Sequence, residues 1–138
     1  MANPTAVLRG IGQVALGAAL LTAGIGHLTN ARKEFQAQVP TWFPADPDAV
    51  VVGSGIVEIS LGTALVATWK QPARRRLGAL VAAFFVAVFP GNIAQLVERR
   101  EAFGLDTDRK RALRLLGQPV LVAWALASTR TRTARAKD

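Results

Sequence analysis

Five polar side chains stand in otherwise apolar stretches of this chain: His27, Glu58, Asn92, Arg114 and Gln118. Each suits part of one kind of chemistry. A carboxyl group in apolar surroundings, Glu58, is a candidate for proton exchange. An imidazole or guanidinium, His27 or Arg114, donates to a ligand oxygen. The amides of Asn92 and Gln118 both donate and accept, so they orient a ligand or bond to each other across helices. The plainer reading of each is structural: Glu58 paired to Arg114 or His27, Asn92 bonded to Gln118, and His27 satisfied by water or a headgroup. In a lipid bilayer each buried charge is opposed by about 2.5–3.5 kcal/mol, so such residues are functional candidates by default.

Their depths converge. Counted from the outer end of each apolar run at about 1.5 Å per residue, Glu58 lies about 14 Å deep, Asn92 about 8 Å, Gln118 about 9 Å and His27 about 3 Å. Arg114 stands one turn from Gln118 on the same face. Pro90, in FPGN (89–92), and Pro119, directly after Gln118, each free a carbonyl about one turn earlier. Freed carbonyls at membrane depth are tolerated against protein or a wet cavity. These features predict a small polar cavity in the outer half of a helix bundle. Trp42 and Phe43, in VPTWFP (39–44), are placed to act as a lid over it. The competing reading makes them interface anchors of an aromatic belt.

The elements that must carry these residues are four apolar runs. Residues 10–31 and 77–97 hold no Asp, Glu, Lys or Arg, residues 49–69 hold only Glu58, and residues 112–129 only Arg114. About 20 apolar residues cross a bilayer, so four spans fit, at about 10–29, 49–69, 77–97 and 112–129. The fourth is the least apolar, because of Arg114 and Gln118. The first run lacks a small-x-small cleavage site, which reads as a span rather than a secretory leader. Stretches such as VALGAALLTAGI (14–25) are apolar all round, which a soluble bundle does not need. The expected fold is therefore an all-α integral membrane four-helix bundle: one domain over 1–138, with a flexible basic tail at 130–138.

Of the 138 residues, 51% are hydrophobic and 19% charged, yet 17 Lys and Arg face 9 Asp and Glu, a net charge of +8. High hydrophobicity with excess cations points away from a soluble enzyme and toward cationic membrane loops. With both termini in the cytoplasm, Arg9, the Lys70–Arg76 cluster and the tail from Arg130 face inside, as the positive-inside rule prefers. The loop from Glu98 to Arg111, with Arg99 and Arg100, fits that orientation least. The tail lacks the aromatics of a nucleic-acid platform, so no nucleic-acid partner is expected. Zero cysteines and one histidine exclude disulfides, thiol chemistry and Cys-ligated centres, so no metal site is expected. Small residues recur every four positions at Ala15, Ala19 and Ala23, at Ser54 and Gly62 around Glu58, and at Ala79, Ala83, Ala87 and Gly91, predicting close helix seams there.

The pieces GIGH (24–27), VPTWFP (39–44), GSGIVEISLG (53–62), QPARRR (71–76), FPGNIAQ (89–95) and LRLLGQP (113–119), in this order, resemble the DoxX family of four-span bacterial membrane proteins. The resemblance covers all four runs. It implies a compact bundle in the plasma membrane, with His27, Glu58, Asn92 and Gln118 at the family's marked positions. It also implies a link to quinone-dependent sulfur oxidation, or to membrane partners that gather soluble redox enzymes. Two functions follow as expectations. One is an accessory subunit of a membrane redox system whose cavity binds quinone or a small apolar ligand, with no intrinsic cofactor. The other is a non-catalytic anchor or assembly factor, a homo-oligomer or partner-bound subunit, whose cytoplasmic cations dock acidic partners or anionic lipid. The residues leave turnover itself open.

Overall fold

The structure, a computed structural model, describes residues 3–98, 105 and 107–130. Arg99, Arg100 and the tail from Thr131, with Arg132, Arg135 and Lys137, lie outside the described residues. The described residues form helices and connections with no strand. Four helices are long: α1 (Pro4–Leu28), α3 (Pro47–Ala67), α4 (Ala73–Val97) and α5 (Asp108–Ser128). A short α2 (Arg32–Phe35) and a 3-10 turn (Gln36–Gln38) lie between α1 and α3.

Capping chemistry moves three helix starts ahead of the apolar runs. Asn3 accepts from the Thr5 amide at 2.9 Å, and Pro4 takes the first helical position. Asp46 accepts from the Ala49 amide at 3.1 Å ahead of Pro47. Thr107 Oγ1 accepts from the Lys110 amide at 3.1 Å. Both α4 and α5 run through their internal prolines, Pro90 and Pro119. The helices α1, α3 and α4 are long and apolar enough to cross a membrane. In α5, Arg111, Arg114 and Gln118 interrupt the apolar stretch.

The helices pack as two pairs, α1 on α3 and α4 on α5, with lighter contacts of α1 on α5 and α3 on α4. Leu16, Leu20, Leu61, Leu65, Val81, Ala82, Phe85 and Ala125 form one buried cluster between them. The tight seams differ from the expected alanine ladders. In α1 the buried face runs through Leu16, Gly17, Leu20 and Gly24, while Ala15 and Ala19 are exposed. A Cβ on Gly17 would meet the Gly62 carbonyl at 2.9 Å, and one on Gly24 would meet the Gly55 carbonyl at 2.8 Å. Glycine allows an approach that alanine forbids, so the glycines and not the alanines set the α1–α3 seam. Of the expected small residues, Gly62 is in it. In α4 the exposed Ala79 and Ala83 face away, and Gly78 makes the close contact with the α5 end, at Thr129; Gly91 of the expected stripe is tight too, but against the Gln38 carbonyl rather than a long helix.

The end opposite the 29–46 connection is tied by a polar knot. Buried Gln13 donates to the carbonyls of Leu65 at 2.7 Å and Thr68 at 2.8 Å, and accepts from Arg74 Nε at 2.5 Å. Arg74 also donates to the Ser128 carbonyl at 2.9 Å and lies 5.3 Å over the Trp69 ring. Gln71 donates to the Thr129 carbonyl at 3.0 Å. One arginine thus joins residues of α1, α4 and α5, and Gln13 adds α3. The sequence grouped Arg74 with the inward-facing Lys70–Arg76 cations; the structure sets it apart from them, tied into the bundle. Removing Arg74 strips a charged donor from a fully buried amide oxygen, which costs about 1–3 kcal/mol. Arg74→Ala is therefore expected to lower the unfolding midpoint in detergent clearly, whereas Arg75→Ala, on the exposed side of the same turn, is expected to stay within about 0.5 kcal/mol of the parent.

Candidate functional site

The two helix pairs part at the end nearer the 29–46 connection and leave a cavity of about 670 Å³ between them. His27, Glu58, Asn92, Arg114 and Gln118 all line it, as do Trp42 and Phe43. The rest of the wall is largely apolar, with Leu16, Leu20, Val51, Phe85 and Leu121 among its residues. A few convergent polar groups in an apolar cavity of several hundred Å³ is the usual composition of a small-molecule site.

On the α1–α3 side, His27 is 6% exposed and Glu58 8%. Their atoms Nδ1 and Oε2 lie 2.9 Å apart. Counting by rise put these residues about 11 Å apart in depth. Side-chain direction closes the gap. Side chains lean toward the N-terminus of their own helix, and α1 and α3 run oppositely, so Glu58 reaches toward the 29–46 connection while His27 reaches away from it. Nδ1 also lies 2.8 Å from the Ala23 carbonyl, which only accepts. The Nδ1 hydrogen therefore belongs to that carbonyl, and Glu58 Oε2 accepts no hydrogen bond despite the short approach. The imidazole stacks on Phe35 with centroids 3.4 Å apart and planes 14° apart.

On the α4–α5 side, Asn92 is 3% exposed and Gln118 2%. Gln118 Nε2 donates to the Phe85 carbonyl at 2.6 Å, next to the Val86 carbonyl that Pro90 leaves without its helical donor. Gln118 Oε1 accepts from Arg114 Nη1 at 3.1 Å and, in a long contact, from Asn92 Nδ2 at 3.4 Å. The carbonyl fixes which end of Gln118 is oxygen, and that fixes Asn92. Asn92 Oδ1 is left buried and without a partner. The structure thus joins Asn92 to Gln118 and His27 to Glu58, two of the contacts the sequence raised, and directs Arg114 to Gln118 rather than to Glu58.

The 29–46 connection is strapped across this end. Arg32 grips Asp48 through two nitrogens, one at 2.7 Å, and Gln36 adds a bond to Asp48 at 3.2 Å. These hydrogen bonds, and then the carboxylate charge, hold the Arg32 guanidinium above its ordinary pKa. The Thr41 amide donates to Glu98 Oε1 at 3.2 Å, reinforced by its hydroxyl. The Gln38 carbonyl lies against Gly91, where an added Cβ would be 2.2 Å away. Val39 and Pro40 are buried, while Trp42 is 72% exposed at the cavity's edge.

The family model of a domain of unknown function, DUF8561, matches residues 16–129. The chain belongs to the DUF8561 family. No curated protein and no solved structure is similar to it. The part of this DUF8561 chain that matches contains every cavity residue named above, but not Gln13 of the polar knot. Among the described residues, no group of three or more His, Asp or Glu is placed to hold a metal ion. Sequence reasoning missed Phe35, Phe85 and Arg74. An aromatic between two turns gives no sign that it stacks on a histidine, and a backbone acceptor has no side-chain signature at all.

Proposed function

We propose that this DUF8561 chain is a DoxX-like multi-pass protein of the plasma membrane, with both termini in the cytoplasm, whose outer cavity binds a small apolar ligand of the quinone type. In this reading it serves a membrane redox system as an accessory subunit, and electrons come from a partner. The observation that carries the reading is the cavity itself: apolar walls, with a Glu58 oxygen, 2.9 Å from His27 Nδ1, and an Asn92 oxygen both left without a hydrogen bond among the described residues.

Several features support the membrane part. Three helices are apolar enough to span, and large apolar side chains such as Leu8, Ile11, Leu80, Val86, Leu116 and Val120 point outward. Exposed apolar surface on that scale suits lipid rather than water. The fourth span is α5, whose Arg114 turns to Gln118 in the cavity instead of to lipid. Lys70, Arg75 and Arg76 stay exposed at the opposite end and favour the second reading, an anchor for acidic soluble partners.

Trp42 supplies the test, because it lines the cavity, whereas Trp69 and Trp124 lie elsewhere. Titrating the detergent-solubilised protein with a short-chain benzoquinone is expected to quench fluorescence saturably, and Trp42→Phe is expected to remove the saturable part. Quenching that is linear and equal in both proteins would contradict the ligand reading and favour the anchor.

A further inference from the structure

The unpaired groups around the cavity are unequal in kind. Glu58 Oε2 is buried and accepts no hydrogen bond from a described residue, although His27 Nδ1 lies 2.9 Å away. Asn92 Oδ1 is likewise sealed and unpaired, and the chain Phe85 carbonyl to Gln118 to Asn92 forbids the amide flip that would turn it into a donor. The His27 hydrogen at Nδ1 is taken by Ala23. Arg114, Asn92 and Gln118 each keep N–H groups beyond the one each donates, to Gln118, Gln118 and the Phe85 carbonyl respectively, so each of these donor nitrogens already has a partner. Among these five residues the buried polar atoms left with no hydrogen-bond partner at all are therefore both acceptors, in apolar surroundings where an unmet acceptor is costly.

We infer that the cavity selects a ligand whose polar head donates hydrogen bonds, a hydroxyaryl such as a hydroquinone, over one that only accepts. This deepens the reading of the cavity as a ligand site and rests on it. A hydroxyl satisfies both sides of the site: its hydrogen goes to Glu58 or Asn92 while its oxygen accepts from Arg114. A quinone carbonyl accepts from the spare N–H groups but leaves both unmet oxygens as they are, and sets its lone pairs against those of Glu58. Sites built to hydrogen-bond a hydroxyl discriminate strongly against analogues without one, because their own buried groups are then left unpaired.

The test uses three probes of one shape: a decyl-substituted benzoquinone, its hydroquinone, and the dimethyl ether of that hydroquinone. Dissociation constants are measured anaerobically on the full chain in detergent. One added hydrogen bond at the strong end of the ordinary range corresponds to about tenfold, so the hydroquinone is expected to bind about tenfold more tightly than either other probe. Glu58→Gln keeps the shape and adds an N–H donor, so it is expected to reduce that ratio by about threefold or more, chiefly by improving quinone binding. Ratios taken within one protein do not depend on how much of a variant folds. Equal binding of quinone and hydroquinone, or a dimethyl ether as tight as the hydroquinone, would overturn donor selection while leaving the ligand site standing. Binding by none of the three would overturn the ligand site itself, and donor selection with it.

Discussion

Gly62→Val is expected to destabilise this protein by about 3 kcal/mol or more, enough to prevent its accumulation as a monodisperse species in detergent. A Cβ at position 62 would stand 2.7 Å from the Gly17 carbonyl and 2.9 Å from the Leu21 nitrogen. Both are backbone atoms, and no side-chain rotation relieves the clash. The α1–α3 pair would have to separate along its length, which also pulls the Gly24–Gly55 crossing apart. In the proposed membrane setting there is no hydrophobic drive to restore the contact, because close packing is what holds helices together in lipid. Gly53→Ala is the matching control. Nothing lies within 4 Å of a Cβ there. That substitution is expected to be neutral, or stabilising by up to about 1 kcal/mol, since alanine favours helix. Thermal unfolding followed by circular dichroism distinguishes the two. Similar midpoints for Gly62→Val and the parent would show that the seam is not formed as described.

Glu58→Leu is expected to act in the opposite direction on stability and to abolish ligand binding. The leucine fills similar volume and removes a carboxyl group that the described residues leave without an aligned donor. Relief of one buried unmet polar group is worth about 1–3 kcal/mol, read as a higher midpoint in ligand-free detergent. His27 keeps its bond to Ala23 and its stacking on Phe35. Stability gained together with binding lost is the signature of a side chain kept for function. A structural ion pair gives the contrary result. If Glu58 and His27 held the fold together as a buried charge pair, removing one partner would cost about 3–5 kcal/mol. The sign of the shift therefore separates a ligand site from a structural pair.

Much of this arrangement was legible in the sequence. The apolar runs carry the four long helices, since runs of that length without charge have few other solutions. The polar residues were found because charge and amide groups are rare against such a background, and the structure sets all five on one cavity. Trp42 and Phe43 also lie on it, beside prolines that keep their segment from forming a long helix. The seams were harder. Periodicity of four marks a stripe, and α1 carries an alanine stripe and, seven residues apart, Gly17 and Gly24. Composition cannot rank them; only backbone distance shows that the glycines approach closely. Depth counting failed for His27 and Glu58 because it places Cα atoms, while long side chains on antiparallel helices lean toward each other. Arg74 was unreadable for a related reason. Its neighbours Arg75 and Arg76 are exposed cations of the same type, and only the helix phase turns one of the three toward Gln13.

Native mass spectrometry of the protein gently extracted from its own membrane decides whether the cavity is a ligand site. The expected spectrum of the parent shows one retained apolar small molecule per chain, absent from Glu58→Leu prepared in the same way. Spectra in which parent and variant carry the same bound masses, or none, would contradict the claim and leave the polar layer as packing alone.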